Sequence, residues 1–552
     1  MTVENVVETD ILVIGGGIAG CFAAIKAREQ GLNVTIVDKG SAGYTGSTAD
    51  ALLGYMVFNP EWGLDLNACI DAVNKKGEYV NNREWTEIVF RDSWATYQDL
   101  VSWGADFPVE NEEDIPYVKS YPPFGIVRIG GTSTGPPARR QAEKSGVRIM
   151  DKIMVTDLLK QDGRIVGAIG FSVVSGDTYI FKAKATVVSA GFSSLARGDG
   201  DGMAYRAGAE LTTKEFAYTW PAARTNGGRR AIAAENVFMN FRNIAGEKID
   251  TSNTYELDLT MEFLIHAGKG PIFWDLDDAT PKDIDRMRKR QLNAYPKERV
   301  DFDPAQRGKY QTSGGNGHML VASQTGGIWV TNTKCATSLP GLYAAGECCG
   351  TRYLGGYHPA PGFGLTGSAV TGARAGRGAA EYALQAERPE IDRKEVVRLK
   401  NIMYAPVERQ GGFSPRWVMQ LVQSTMMPYF IKYIKRGDRL QAALTIIEFL
   451  SNHLVPKLVA RDSHELWLAH EAKNIVLNAE MILRCSLFRT ESRANHYRED
   501  YPRRDDPNWL AWVKFKEEQG SMKLWKEPIP EKWWPDLSKP YEERYPRRFP
   551  GE

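Results

Sequence analysis

Residues 9–20, TDILVIGGGIAG, followed at 34–39 by VTIVDK, constrain this chain more than any other feature. The apolar run 11–14 reads as a buried parallel strand. Gly15, Gly17 and Gly20 form a G-x-G-x-x-G turn into a helix, and Asp38 closes the next strand. A pyrophosphate must approach the backbone at such a turn and rest on the positive helix end, where a Cβ would block it. Asp38, eighteen residues past Gly20, is placed to hold ribose hydroxyls. Because strand, turn, helix, second strand and terminal acid occur in that order, the segment reads as a dinucleotide site rather than an ordinary βαβ crossover.

At 552 residues the chain exceeds one hydrophobic core, so two or three structural units are expected. Lys and Arg total 69 against 68 for Asp and Glu, a formal charge of +1 that argues against nucleic acid as a partner. The start, MTVENVVETD, lacks a basic leader, and no stretch approaches the roughly 20 apolar residues of a spanning helix, so a cytoplasmic chain without a membrane span is expected. The six cysteines contain no CxxC pair, so neither a metal site nor an iron–sulfur centre is expected within the chain. Cys21 reads as a small packing residue, while the vicinal Cys348 and Cys349 leave thiol chemistry open.

Short apolar runs between glycine turns fill the first third, including KATVVSAGFSS at 184–194, the language of an α/β sheet. A helix is expected to continue over 205–211 after GDGDGM. From about 215 to 315 polar, aromatic and proline-bearing sequence suggests an inserted unit, after which strands return at 325–330 and 340–347 and a Gly/Ala-rich helix at 364–384. Beyond 385, three- and four-residue apolar spacing over 416–435, 439–455 and 464–485 predicts a helical bundle. The last fifty residues, with Trp509, Trp512, Trp525, Trp533 and Trp534 among prolines, read as an extended tail that must lie on this chain or a partner.

Four blocks, TDILVIGGGIAG, GDGDGMAYRAGAEL at 198–211, PGLYAAGE at 340–347 and RTESRANHYREDYPRRDD at 489–506, together resemble the flavoprotein subunits of the fumarate reductase and succinate dehydrogenase family over nearly the whole chain. NVFMNFRNIAGEKI at 236–249 and AGKGPI at 267–272 are similar in wording to the adenylylsulfate reductase alpha subunits of that family. The resemblance implies an α/β fold. A Rossmann-type FAD-binding domain (1–214 and 316–388) is split by an α+β capping domain (215–315), then followed by a helical domain (389–500) and a C-terminal tail (501–552). Expected FAD contacts are Gly15, Gly17, Ile18, Ala19, Gly20, Asp38 and Lys39 from the first block, and Gly46, Ser47 and Thr48 from the loop after it. Ala190, Gly191 and Asp201 are expected from the middle, and Gly346, Glu347, Gly364 and Ser368 from the last part, with Glu347 expected at the ribityl chain. Covalently flavinylated members use a histidine in the 43–50 loop; none stands between residues 1 and 265, so noncovalent FAD is implied.

Departures from the family bear on the substrate. Ser323 stands near a position that dicarboxylate enzymes fill with histidine, and YHPAPGFGLTGSAVTG keeps a histidine, His358, but no arginine where those enzymes carry a carboxylate clamp. Adenylylsulfate reductases place an arginine where this chain has Lys269. Lys269 and His358 are therefore the expected proton-moving groups, against the alternatives of a solvated loop lysine and a hydrogen-bonded histidine in the interdomain seam; Trp220 is expected as a stacking residue and Arg224 as an anion holder, against packing and an ordinary ion pair. The implied chemistry is a two-electron exchange at flavin N5 with a small anionic substrate, in a hetero-oligomer whose ferredoxin-like iron–sulfur subunit handles the electrons. Two other readings stay open: a fumarate- or enoate-type reductase, and a flavin electron-transfer subunit with no substrate of its own.

Overall fold

The computed structural model describes residues 3–50, 54–108, 121–129, 134–191, 198–218, 222–225, 228–231, 238–250, 257–294, 303–313, 321–322 and 326–552. Its centre is a seven-stranded sheet. The strand Glu4–Ile14 pairs in parallel with Val34–Asp38 on one side and Thr178–Val188 on the other, and Arg148–Asp151 extends the first edge. The strand expected from residue 184 begins six residues earlier, at Thr178. Its first half pairs antiparallel with Arg164–Ser172 and its end pairs in parallel with Leu342–Ala344, which joins the two parts of the flavin domain in one sheet.

Helix Ile18–Arg28 leaves the glycine turn and packs along Phe363–Gln385. The second helix is rich in glycine for a reason visible at the crossing. A Cβ on Gly372 would come 2.3 Å from the Ala19 carbonyl oxygen and one on Gly376 2.2 Å from that of Ala23, so the two backbones touch where side chains would hold them apart. Between the flavin-domain parts, a five-stranded antiparallel sheet is drawn wholly from residues 222–313 and packs its own core of Phe241, Met261, Ile272 and Trp274.

Helices Arg393–Glu408, Pro415–Met426, Gly437–Phe449 and Ser463–Phe488 make the predicted bundle, the last three sharing a core that includes Val418, Val422, Leu440, Ile447, Ile475 and Leu483. The expected helix over 416–435 is broken at Pro428, whose missing N–H and ring end one helix and start the short Tyr429–Lys432. Over 205–211 the expectation fails differently. The helix is Asp199–Arg206, and Leu211–Thr212 is a strand, because this segment is recruited into a second sheet.

That sheet also corrects the reading of the tail. In the order Cys349–Gly350, Gly327–Trp329, Leu211–Thr212, Ala511–Glu518, Ser521–Pro528, the tail contributes a hairpin to five strands. Trp509 and Trp512 are buried and Trp512 Nε1 donates to the Val80 carbonyl at 2.8 Å, so those tryptophans serve this chain's own core. Around them lies a buried ion-pair network. Arg489 bonds Glu215 at 2.9 Å and Glu491 at 2.8 Å, Arg493 bonds Asp506 at 2.6 Å, and Arg504 reaches back to Glu78 at 2.6 Å. The block at 489–506 thereby ties the helical region to the flavin domain. Among the described residues no helix is long and apolar enough to cross a membrane.

Candidate functional site: a dinucleotide cleft

The C-terminal end of Glu4–Ile14 opens directly into the glycine turn. Gly15 holds φ +101°, and a Cβ there would lie 2.5 Å from the Ser189 carbonyl oxygen. Gly17 caps helix Ile18–Arg28 without any side-chain bond, which leaves the first amides of the helix to other acceptors. One of them, Ile18 N–H, donates to Thr48 Oγ1 at 3.1 Å, which fixes the loop after Asp38 against the helix start. Gly20 does a different job from the one expected. Its Cβ would meet the Gly15 carbonyl oxygen at 1.9 Å, so it permits close packing of helix on turn and does not line the cleft.

A cleft of about 360 Å³ runs over this turn. Gly15, Gly17, Ile18 and Ala19 floor it, and Asp38, Lys39, Gly46, Ser47 and Thr48 form one side. Ser189, Ala190, Gly191, Gly346, Glu347 and Ser368 form the opposite side. Gly346 has φ +73° and its N–H donates to Thr371 Oγ1 at 2.9 Å, which docks the second flavin-domain segment on its helix. Asp38 accepts from Gly16 N–H and Gly40 N–H, both at 2.7 Å; a carboxylate has about four acceptor positions, so capacity for ribose hydroxyls remains.

Beyond Asp38 the cleft is walled by residues not singled out in the sequence: Lys152, Met154, Val155 and Val173, then Asp199, Trp467 and Glu471. Lys39 lies between the last carboxylates, 2.6 Å from Asp199 and 2.5 Å from Glu471. Burial alone would lower its pKa, but the two carboxylates outweigh that and raise it. The signal for Asp199 was present in GDGDG. For Trp467 and Glu471 it was not, since their spacing on an amphipathic helix reads as bundle packing.

Several expected residues fall elsewhere. Asp201 is fully buried in an ion pair with Lys214 beneath its helix, facing away from the cleft lining, because the helix turns it to the opposite side from Asp199. Gly364 lies in the first turn of Phe363–Gln385 but does not line the cleft. Lys269, at the end of the π-helical turn Ile265–Lys269, is exposed to solvent. Trp220 and the Arg224 side chain lie outside the described residues, as does Ser323.

His358 stands in the segment between cleft-lining Glu347 and Ser368, with its ring 6.1 Å from that of Phe363. It is not itself a lining residue, and burial pushes its pKa down to about 3, so the imidazole is neutral near pH 7. The same segment holds a residue that the sequence pattern does not single out. Arg352 is fully buried, its Nη2 donates to the Val80 carbonyl at 3.4 Å, and Nε and Nη1 have no acceptor among the described residues. Burial lowers its pKa to about 9, which still leaves a cation at neutral pH. The thiols are closed off: burial pushes Cys21 and Cys348 up to about 12 and Cys349 well above its usual value, so none is a thiolate at neutral pH.

A split α/β domain, a glycine cradle that side chains would fill, and an acid at the ribose position define a dinucleotide-dependent oxidoreductase. The chain belongs to the FAD binding domain family, whose profile matches residues 10–365, and its residues 420–545 match the fumarate reductase flavoprotein C-terminal profile. It is a FAD-dependent oxidoreductase of the fumarate reductase and succinate dehydrogenase flavoprotein type. Among curated relatives, it is 26% identical to a fumarate reductase (CoM/CoB) subunit of Methanothermobacter marburgensis, over 91% of this chain and 96% of that one. It is 24% identical to the fumarate reductase flavoprotein subunit of Mycobacterium tuberculosis, over 97% and 99%. The fold matches that of adenylylsulfate reductase from Archaeoglobus fulgidus with a TM-score of 0.81, at 24% identity over 96% of this chain and 97% of the other.

Proposed function

We propose that this chain is the catalytic flavoprotein subunit of an adenylylsulfate-reductase-like enzyme that performs two-electron redox chemistry on a small anionic substrate and exchanges electrons with an iron–sulfur subunit. The observation that carries the anion is Arg352, a buried guanidinium with two donors lacking acceptors, on the same short segment as His358 and between two residues that line the coenzyme cleft. Two of the curated relatives above are named as subunits, which supports an assembly with other chains.

FAD supplies two-electron transfer at its N5 atom when bound. The residues of this chain do the rest. The glycine turn and the open amides of helix Ile18–Arg28 would hold the pyrophosphate, and Asp38 would hold the adenosine ribose. Ser47 and Thr48 would offer FAD hydroxyls, and Glu347 would take the ribityl chain. No histidine stands in the 43–50 loop, and FAD is held noncovalently. Arg352 orients the substrate anion, and its arrival beside His358 raises the pKa of the imidazole toward the range where it moves a proton at Nδ1 or Nε2. Lys269 is given no step, being exposed.

The test is anaerobic reoxidation of the photoreduced flavin, followed by absorbance, with adenylylsulfate and with fumarate. Fast reoxidation by adenylylsulfate alone is expected, with Arg352→Met raising the substrate requirement at least tenfold while flavin stays bound. Reoxidation by fumarate alone would replace this reading with the dicarboxylate one, which the names of the curated relatives and the presence of a buried arginine also favour. No reaction with either would leave an electron relay.

A further inference from the structure

The apolar spacing of helix Ser463–Phe488 reads as bundle packing, yet Trp467 and Glu471 on it, four residues apart and so on one face, both line the cleft. They stand beside Lys39, beyond Asp38, the residue expected at the adenosine ribose, where Met154 and Val173 also wall the cleft. The indole of Trp467 is half-buried, with the Lys39 ammonium 5.9 Å from its ring centre, and its Nε1 is buried with no acceptor among the described residues. Buried indole N–H groups are ordinarily paired, so this one marks a place where an acceptor from outside the chain belongs.

The polar bonds that seat the helix lie at the same spot. Glu471 holds Lys39, Asn474 Nδ2 donates to Asp199 at 2.8 Å, and Asn478 Nδ2 donates to the Gly198 carbonyl at 3.3 Å. Asp199, Lys39 and Glu471 are cleft-lining residues as well as docking residues. Anything that orders the adenosine end of the cleft therefore orders the seat of the helix.

We propose that Trp467 is a coenzyme-binding residue supplied by the helical domain, packing its ring on the adenosine of FAD and donating Nε1–H to it, so that coenzyme loading and docking of helix Ser463–Phe488 are thermodynamically linked. A ligand that contacts the docked helix stabilises the docked state by its differential affinity, and the coupling is reciprocal. The proposal depends on FAD binding and is independent of which substrate the enzyme takes.

Two measurements on the full-length chain test it. Apoprotein carrying Trp467→Leu is titrated with FAD and with ADP, which presents the adenosine half alone. Both dissociation constants are expected to rise about tenfold or more, and Trp467→Phe, which keeps a ring but loses the N–H, to fall between. Dissociation constants within twofold of the unsubstituted protein for both ligands would overturn the assignment. The second measurement needs no substitution: hydrogen exchange of the unsubstituted apoprotein with and without FAD should show slowed exchange in peptides covering 463–478 on loading. Unchanged exchange there, alongside slowed exchange at the glycine turn, would show that the helix is indifferent to the coenzyme and sink the linkage.

Discussion

At Gly20 an added Cβ would stand 1.9 Å from the Gly15 carbonyl oxygen, a backbone atom that cannot swing aside, and 2.8 Å from Ser189 Oγ. Gly20→Ala should therefore cost on the order of 1–3 kcal/mol of stability and lower the flavin content of purified protein, read as a drop in melting temperature and in the ratio of flavin to protein absorbance. A melting temperature unchanged by the substitution would contradict the packing described. Buried histidines give a second expectation at this scale. His470, whose Nε2–H donates to the Met403 carbonyl at 2.9 Å, has its pKa lowered to about 4 by burial first and by Lys473 second. The unfolded chain takes up that proton near pH 6.5 and the folded one only near 4, so stability is full above about 6.5 and is lost as pH falls through that window, at about 1.4 kcal/mol per unit. His470→Gln, which can still donate to Met403, should flatten the acid limb of a stability profile between those values; an unchanged slope would assign the acid sensitivity elsewhere. Individual residues were also where the sequence was least informative. The pattern around Gly15 and Asp38 names its own chemistry, whereas Arg352 shows its importance only through burial and missing acceptors, and neither is visible in a string of letters.

Elements were legible where local chemistry decides them and illegible where partners do. Helix Phe363–Gln385 followed from its composition, and Pro428 could have been read as the break it is. Leu211–Thr212 is a strand because it lies between Gly327–Trp329, over a hundred residues later, and Ala511–Glu518, three hundred residues later, with Lys514 opposite Thr212. No local pattern carries that information. The same pairing sets a test. Truncation after residue 510 removes the hairpin Ala511–Glu518 and Ser521–Pro528 and uncovers Leu211, Phe216 and Val80, all fully or nearly fully buried. We expect insoluble or flavin-free protein, judged by gel filtration and absorbance. A truncated chain that stays monomeric and yellow would show the tail to be an accessory after all.

Across the whole molecule, one cleft gathers residues from the first strand, the 43–50 loop, the middle of the chain, the 346–368 segment and the helical region. The first four of these contributions were anticipated in part from motifs, since a pyrophosphate and a ribose impose glycine and acid at fixed spacing, though Lys152, Met154, Val155 and Val173 in the middle of the chain were not. The fifth was not, because Trp467 and Glu471 obey no motif and their helix is equally well explained by its apolar face. Central to all of this is the expectation of one FAD per chain, held in the cleft without a covalent bond. Acid precipitation of the purified protein, with the supernatant and pellet both assayed for flavin and the released flavin identified by chromatography, tests it directly. One equivalent of FAD in the supernatant is predicted; flavin retained in the pellet, or a colourless protein that takes up no FAD when offered it, would contradict the account.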